Sequence, residues 1–467
     1  MKKLTIKQIK ETTNRLKGDR GTWESHWQEI MDYMLPRKNT ITDVKSPGQK
    51  RSIEVLDNTG IMSLELLAGA LHGLLTSPNA MWFELTTGVL ELDRRDDVRK
   101  WLQNTARDLH NILNNSNFQT EVHELYMDLC SIGTSPMAIE EDDKDVVRFR
   151  TEFIGETFIE ENNLGFIDQI FRSWRWDANK IVTEFGLDKV GDKVKEAYEK
   201  GRPDKFEIIH AVYPSSIIPG NESAGWKFVS QTVIPDHNHE LRIKGFKEFP
   251  YVVPRWSKGT GEIYGRSPGM VALPEVKMIN KMTETVIIGA QKVVDPPLQA
   301  PDDGFVLPLK TMPGGVSYYR AGSTDRIEPV FADARIDFGF EAMREKRTKI
   351  REAFYVDQLM LQQAGPQMTA TEVLQRTEEK MRLLGPMLGR QQSEFLYPLI
   401  ARTFAIAMRK GVIDQSKIPA IIKEKKRKLD VRYSSLIAKS QRRSEGQNIL
   451  RTIQAINPFV QMDPSVT

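Results

Sequence analysis

The chain reads as an α+β protein, mainly α-helical, and three patterns carry that reading. Apolar residues recur at three- and four-residue steps through the N-terminal third. Short alternating or continuous apolar runs bounded by turn residues replace them from about 137 to 256. After Gly265 two long helical patterns return, separated by a compact segment rich in Pro and Gly.

In chain order, Trp23, Trp27, Ile30, Met31 and Met34 make one apolar face, which Pro36 terminates. Leu64, Leu67, Ala68, Leu71, Leu74 and Leu75 form a second, ended by Pro78. Val98, Trp101, Leu102, Leu109, Ile112 and Leu113 make a third, with Asp93 near its start, and Phe118, Val122, Leu125 and Leu129 a fourth. Tryptophans on these stripes belong in the core, where a large ring gains most from burial. The middle block reads as a small mixed α/β unit with strands at Val146–Phe153, Gly165–Arg172, Phe206–Tyr213 and Trp226–Ile234, and a helical insert near Ala178–Lys200. Residues 275–294 form a helical pattern about 30 Å long at 1.5 Å per residue, stopped by Pro296-Pro297. A second helix is expected over 334–357, where Ile336, Phe340, Met343, Arg347, Ile350 and Phe354 keep the spacing of a seam along another helix. A third starts on the capping box Thr369-x-x-Glu372, is interrupted near Gly385-Pro386, and runs to Gly411, a left-handed stop. Beyond lie a basic run, a short strand near Val431, and a last helix through Ile449, Ile453 and Ile456.

Composition narrows the function. A chain of 467 residues is long for one core, so two to four structural units are expected. The formal net charge is only +3, so any role on DNA rests on local charge or geometry. The single Cys130 forms no intrachain disulfide and thiolate metal sites are excluded, which fits a reducing cytoplasm. The N-terminus lacks an apolar signal core, and the most apolar window, Ile61–Leu75, is too short to span a membrane. A soluble product is expected. There is no Gly-x-x-x-x-Gly-Lys-Ser/Thr, His-Glu-x-x-His or Gly-x-Ser-x-Gly. Gly259, Gly261 and Gly265 miss the dinucleotide spacing by one residue and read as a turn. His237 and His239 lack further organised donors and read as a loop rather than a metal site. Glu140 to Asp143 read as a solvated tight turn rather than acid/base machinery. No catalytic residues, cofactor or metal are assigned.

The stretch from Asp357 to Glu372 is the most informative. From Gln358 to Gln367 it holds no Lys, Arg, Asp or Glu. Such a loop suits a smooth edge past which something slides, and suits catalysis poorly.

These segments, in this order, resemble the head-to-tail connector (portal) family of short-tailed, T7-like bacteriophages. The matching words are Asp57-Asn58-Thr59-Gly60, Leu67-Ala68-Gly69-Ala70-Leu71, Leu75-Thr76-Ser77-Pro78 and Trp82-Phe83. They continue as Pro254-Arg255-Trp256, Tyr264-Gly265-Arg266-Ser267-Pro268-Gly269 and Met368-Thr369-Ala370-Thr371-Glu372-Val373. The resemblance implies a ring, usually of twelve subunits, at one capsid vertex. It implies a wing over residues 1–265, stem helices over 266–294 and 334–357, and a clip over 295–333. A tunnel loop over 358–368, a long wing helix over 369–410 and a crown over 411–467 complete the portal-type fold. It further implies that the clip docks the large terminase and later the tail adaptor, that capsid and scaffolding proteins surround the ring, and that double-stranded DNA passes through it. Assembly would take place in the host bacterial cytoplasm, with the ring ending in the virion. Family members usually run further at the C-terminus, so the ending Asp463–Thr467 implies a shorter crown or a truncated chain.

Physical chemistry agrees with a conduit. Each phosphate neutralised by a cation strengthens binding through counterion release, so a bore wants few basic contacts at its narrowest point. The candidate tunnel-loop residues are Gln358, Met360, Gln362, Gln363, Ala364, Gly365, Pro366 and Gln367. The candidate channel charges are Arg344, Lys346, Arg347, Lys349 and Arg351, a mixed surface in which some side chains pair between subunits and others line the bore. In the clip, Asp302, Asp303, Phe305, Tyr318, Tyr319 and Arg320 mix aromatics with charge; partner docking and packing within the ring both remain open. Crown residues Lys423, Lys425, Lys426, Arg427 and Lys428 read either as a contact with packaged DNA or as a solvated helix end. The competing functions are a helical nuclease or polymerase accessory, which would need a metal-binding carboxylate cluster, and another ring-forming phage protein such as a tail adaptor or internal core protein.

Overall fold

The computed structural model describes residues 3–36, 41–42, 55–218, 225–294, 298–299, 328–329, 336–359, 385, 387–424 and 430–433. The candidate residues from Met360 to Gln367, the clip residues Asp302 to Arg320, crown residues 425–428, the capping box at Thr369 and the last helix near Ile449 lie outside them.

The N-terminal part is helical: α1 (Ile6–Asp19), α2 (Gly21–Met34) and α3 (Thr59–Leu75), then strand β1 (Phe83–Thr86), a turn α4 (Leu90–Asp93), α5 (Asp96–Asn115) and α6 (Phe118–Ser131). The four apolar stripes are the buried faces of α2, α3, α5 and α6, and most of their residues join one core. Trp27 is fully buried; Trp23 sits at the margin with the Arg266 guanidinium 4.8 Å from its ring. Sequence reading missed α1, whose stripe is only Ile9, Thr13 and Leu16, although Thr5 and Gln8 form a complete capping box.

The middle block holds two antiparallel sheets. One has the order β3–β2–β9, from β2 (Met137–Asp142), β3 (Val146–Thr151) and β9 (Tyr251–Val252). The other is a five-stranded meander of β4 (Thr157–Glu161), β5 (Ile167–Asp177), β6 (Lys205–Pro214), β7 (Phe228–Ile234) and β8 (His239–Phe246). The expected helical insert is two short helices, α7 (Ala178–Phe185) and α8 (Asp192–Glu199), because the chain leaves α7 through Gly186 at φ +87°. Glu140 and Glu141 correct an expectation: they end strand β2 rather than sit in a tight turn. Their outward carboxylates pair with Arg150 and Arg409, while Asp142 accepts the amides of the turn proper.

A small hairpin, β10 (Ser257–Lys258) with β11 (Gly265–Arg266), leads into α9 (Pro268–Val294), with Gly261 at φ +77° in its turn. This helix starts about two turns before the pattern at 275 suggested, with Pro274 inside it. Its 27 residues span about 40 Å. Beyond it β12 (Leu298–Gln299) pairs antiparallel with β13 (Glu328–Pro329), and α10 follows (Ile336–Ala353). The second long helix therefore ends four residues short of 357: Tyr355 takes φ +57°, and a separate turn, α11 (Val356–Leu359), follows. The helical stretch described from Gly385 passes through a π-helical turn at Gln392–Leu396 into α12 (Tyr397–Arg409), and Gly411 at φ +71° supplies the expected stop. After α13 (Ala420–Glu424), β14 (Asp430–Tyr433) returns to pair with β1, Phe83 opposite Tyr433.

Candidate functional site

The feature that sets this chain apart is the pair of long helices and the joint at their root. α9 and α10 run antiparallel: Gly339 lies against Val286, where an added Cβ would come within 2.8 Å of a Val methyl, and Lys346 Nζ reaches Glu275 Oε2 at 2.9 Å one level lower. The seam residues Met343, Ile350 and Phe354 are buried. Phe340, assigned to the same seam, is instead exposed.

The root is held by backbone approach and buried polar contacts. Gly133 and Gly265 meet backbone to backbone, and the Gly265 amide donates to Thr134 Oγ1 at 2.8 Å. Ser267 Oγ donates to the Ser131 carbonyl at 2.5 Å, and a Cβ on Gly269 would stand 2.7 Å from that same oxygen. The end of α6 is thereby clamped to the start of α9. A second clamp uses α3: Asn280 Oδ1 accepts the amides of Leu56 and Asp57 at 2.6 and 3.0 Å, and Gly60 rests on Val276. Asp57 Oδ2 accepts two bonds from Arg347 of α10, at 2.9 and 3.0 Å. Burial opposes ionisation of Asp57, but the Thr59 hydroxyl and amide together with Arg347 hold its carboxyl below the usual 3.8.

Arg255 is the third clamp. Its side chain is 2% exposed and donates to Glu161 (2.8 Å), Glu394 (2.8 and 3.1 Å) and the carbonyls of Gly165 and Ile263. Its own carbonyl accepts from Gln391 Nε2. Burial lowers its proton affinity, yet Glu394 and Glu161 more than restore it, so the group stays cationic. One guanidinium thus joins the five-stranded sheet, the hairpin before α9 and the helix carrying Glu394. Next to it Trp256 packs 6.3 Å from Tyr355, at the break between α10 and α11.

The five candidate channel cations separate. Arg347 and Lys346 are tied within the chain to Asp57 and Glu275, and Lys349 pairs with Glu345 one turn away. Arg344 and Arg351 are exposed and have no ion pair among the described residues. Gln358 lies half-buried in α11, and Lys423 is exposed at the end of α13. Of the two histidines read as a loop, His237 lies in the short turn Pro235–His237, its ring against Phe206, whereas His239 begins β8 and its Nε2 bonds with the Lys189 carbonyl at 2.8 Å. Among the described residues no group of three or more His, Cys, Asp or Glu could hold a metal ion, and no helix is long and apolar enough to cross a membrane. Sequence reasoning quoted Asp57, Gly60, Arg255, Gly265 and Gly269 as words without seeing that they are contacts. It missed Glu394, Asn280 and Gly133 altogether.

A rigidly rooted, long, antiparallel helix pair on a mixed helix-and-strand body belongs to a structural connector. The chain belongs to the bacteriophage head to tail connecting protein family, which it matches over residues 6–467. It is similar to the probable portal protein of Bordetella phage BPP-1, 31% identical over 463 residues, 97% of this chain and 82% of that one. It is also similar to the portal protein of Salmonella phage epsilon15, 29% identical over 466 residues, 96% of this chain and 82% of that one. Among solved structures, a chain from the neck of an empty GTA particle aligns with a TM-score of 0.36 and 11% identity, over 84% of this chain and 86% of that chain. The protein is a phage portal, the connector at the capsid vertex.

Proposed function

We propose that copies of this chain close into a ring, twelve in number by the family resemblance, whose axis is the path of double-stranded DNA into and out of the head. In this reading 1–265 and 369–410 form the wing, α9 and α10 the stem, 295–333 the clip, 358–368 the tunnel loop and 411–467 the crown. The stem sets the bore, the clip meets the large terminase during packaging and the tail adaptor afterwards, and the wing and crown face the capsid and scaffolding proteins. The mechanism is geometric and needs no catalytic group.

The observation that carries the reading is the clamped root. Three separate contacts, from Ser131, Asn280 and Arg255, fix the N-terminal half of α9 and the hairpin leading into it to the body, so a motor pulling on the far end would load a stiff lever rather than a hinge. Arg344 and Arg351 are the stem cations free to face DNA or a neighbour, since Lys346 and Arg347 are already engaged. Electron microscopy of the purified protein should show an annulus with an axial hole; a compact single-chain particle at every concentration would reject the ring. Deleting Gln362–Gln367 should leave the annulus intact and impair packaging or retention of DNA. Normal packaging and retention would reject the tunnel-loop assignment.

A further inference from the structure

Two helix faces on this chain are exposed, apolar and spaced for a partner helix. On α9, Val271, Pro274, Met278, Lys281, Thr285 and Ile288 follow steps of three and four residues, and all are exposed, Val271 at 70%. That is the 3.5-residue period of a helix–helix seam. It lies opposite the buried stripe Leu273, Val276, Ile279 and Asn280 through which α9 joins the body. On α3, Met62, Leu66, Gly69 and Gly73 follow steps of four, three and four, and all are exposed as well, Met62 at 61%. A Cβ added at Gly69 or Gly73 would meet nothing within 4 Å.

The two seams are complementary. The α9 seam presents bulky aliphatic side chains, whereas the C-terminal half of the α3 seam is a smooth trough floored by glycines. The α9 seam carries one charge, Lys281, held only by a highly exposed contact to Glu284. Beside the α3 seam stands Glu65, exposed and with no ion pair among the described residues. Within one chain the seams cannot meet, because Gly60 on Val276 and Asn280 on the Leu56 and Asp57 amides hold α3 and α9 through their other faces.

We propose that the α9 seam of one copy packs into the α3 seam of the next, with Lys281 beside Glu65. This rests on the ring reading above and specifies its contact. Because the faces differ, the contact is heterologous, and repeating it generates a closed ring or an open filament rather than a two-fold dimer.

The full chain suits a cross-linking test, since its one cysteine, Cys130, is buried with its thiol pushed well above its ordinary value and stays unreactive. With Leu66→Cys and Met278→Cys together, a short bismaleimide should produce a denaturing-gel ladder of three or more rungs. Each single variant should remain at one chain. Dimers from either single variant would mean that a seam pairs with itself, and would overturn the proposal. Absence of a ladder while microscopy shows intact annuli would overturn it too, whether the seams are covered by other residues of the chain or are bare. Absence of annuli from the unsubstituted protein would instead overturn the ring reading. A second pair needs no cysteine. Glu65→Lys or Lys281→Glu alone should weaken assembly at least about tenfold by sedimentation, from like charges placed at the contact, and the double swap should restore it. Equal weakening in singles and double would refute the pairing.

Discussion

Removing the Arg255 guanidinium is the sharpest test of the clamped root. Arg255→Met keeps the aliphatic stem and deletes contacts to Glu161, Glu394, Gly165 O and Ile263 O. Breaking a buried ion pair by removing one partner costs about 3–5 kcal/mol, because the remaining charge is stranded. Here neither carboxylate is left alone: Glu161 keeps Lys258 at 2.6 Å, and Glu394 keeps Arg390 at 2.7 Å. The loss therefore belongs at the lower end, about 3 kcal/mol, or a melting shift of roughly 3 °C for a chain of 467 residues. Arg255→Lys should recover little, since an ammonium cannot span four acceptors on three elements. Lys258→Met is the control: that side chain is 23% exposed and shares only Glu161, so under about 1 kcal/mol is expected. Scanning calorimetry and amide exchange along α9 give the readouts. An Arg255→Met variant melting within about 1 °C of the parent, with protection of α9 unchanged, would refute the idea that this cation roots the stem.

Gly133→Ala should cost at least about 2 kcal/mol, from a side chain forced to φ +91° and driven into the Gly265 carbonyl; proteolysis that cuts near residues 259–266 faster in the variant would show it, and an unchanged cleavage rate would count against it. Asp57→Asn should lose about 1–2 kcal/mol of charge-assisted bonding to Arg347 at neutral pH. Because the Asp57 carboxyl titrates below 3.8 in the fold, its contribution is present above that value and disappears as pH falls through the folded pKa, so the variant should show a flatter acid limb in urea midpoints. His210 works in the same direction for a different reason: burial, reinforced by Arg150 and Arg172, pushes it down to about 3. The unfolded imidazole binds its proton near 6.5, so the unfolded state takes up more protons between those values, and stability is whole above 6.5 and declines below. His210→Gln should remove part of the fall in urea midpoint between pH 7 and 5; an identical fall in both proteins would exclude the histidine as its source.

What could be read in the sequence, and what could not, follows from the range of each interaction. The helices α2, α3, α5 and α6 were visible because burying one face writes a 3.6-residue period into neighbouring positions, and Gly261 and Gly411 because positive φ selects glycine locally. Strand β8 escaped notice because Glu240, Arg242 and Lys244 dilute its apolar alternation, and a register shift opposite Thr232 and Val233 breaks the period. The end of α10 was overrun because Phe354 continues the apolar period one residue past the last helical one; only the backbone turn at Tyr355 reveals the break.

The joint was invisible in a deeper way. Arg255 and Glu394 are 139 residues apart, and Asp57 and Arg347 are 290 apart. No local period links such pairs, and each side chain taken alone is an ordinary surface charge. The burial of Arg255 and Asp57 is the distinguishing fact, and burial is a property of the assembled fold. Several of the short words that resembled the connector family fall at these clamps: Asp57 to Gly60 on α9, Pro254 to Trp256 beneath the hairpin, and Gly265 to Gly269 against the end of α6. Such positions tolerate few alternatives for physical reasons. A glycine there has a carbonyl where its Cβ would be, and the arginine has four acceptors around it. The uncharged stretch from Gln358 to Gln367 is recognisable for the opposite reason, since its lack of Lys, Arg, Asp and Glu is a matter of composition alone.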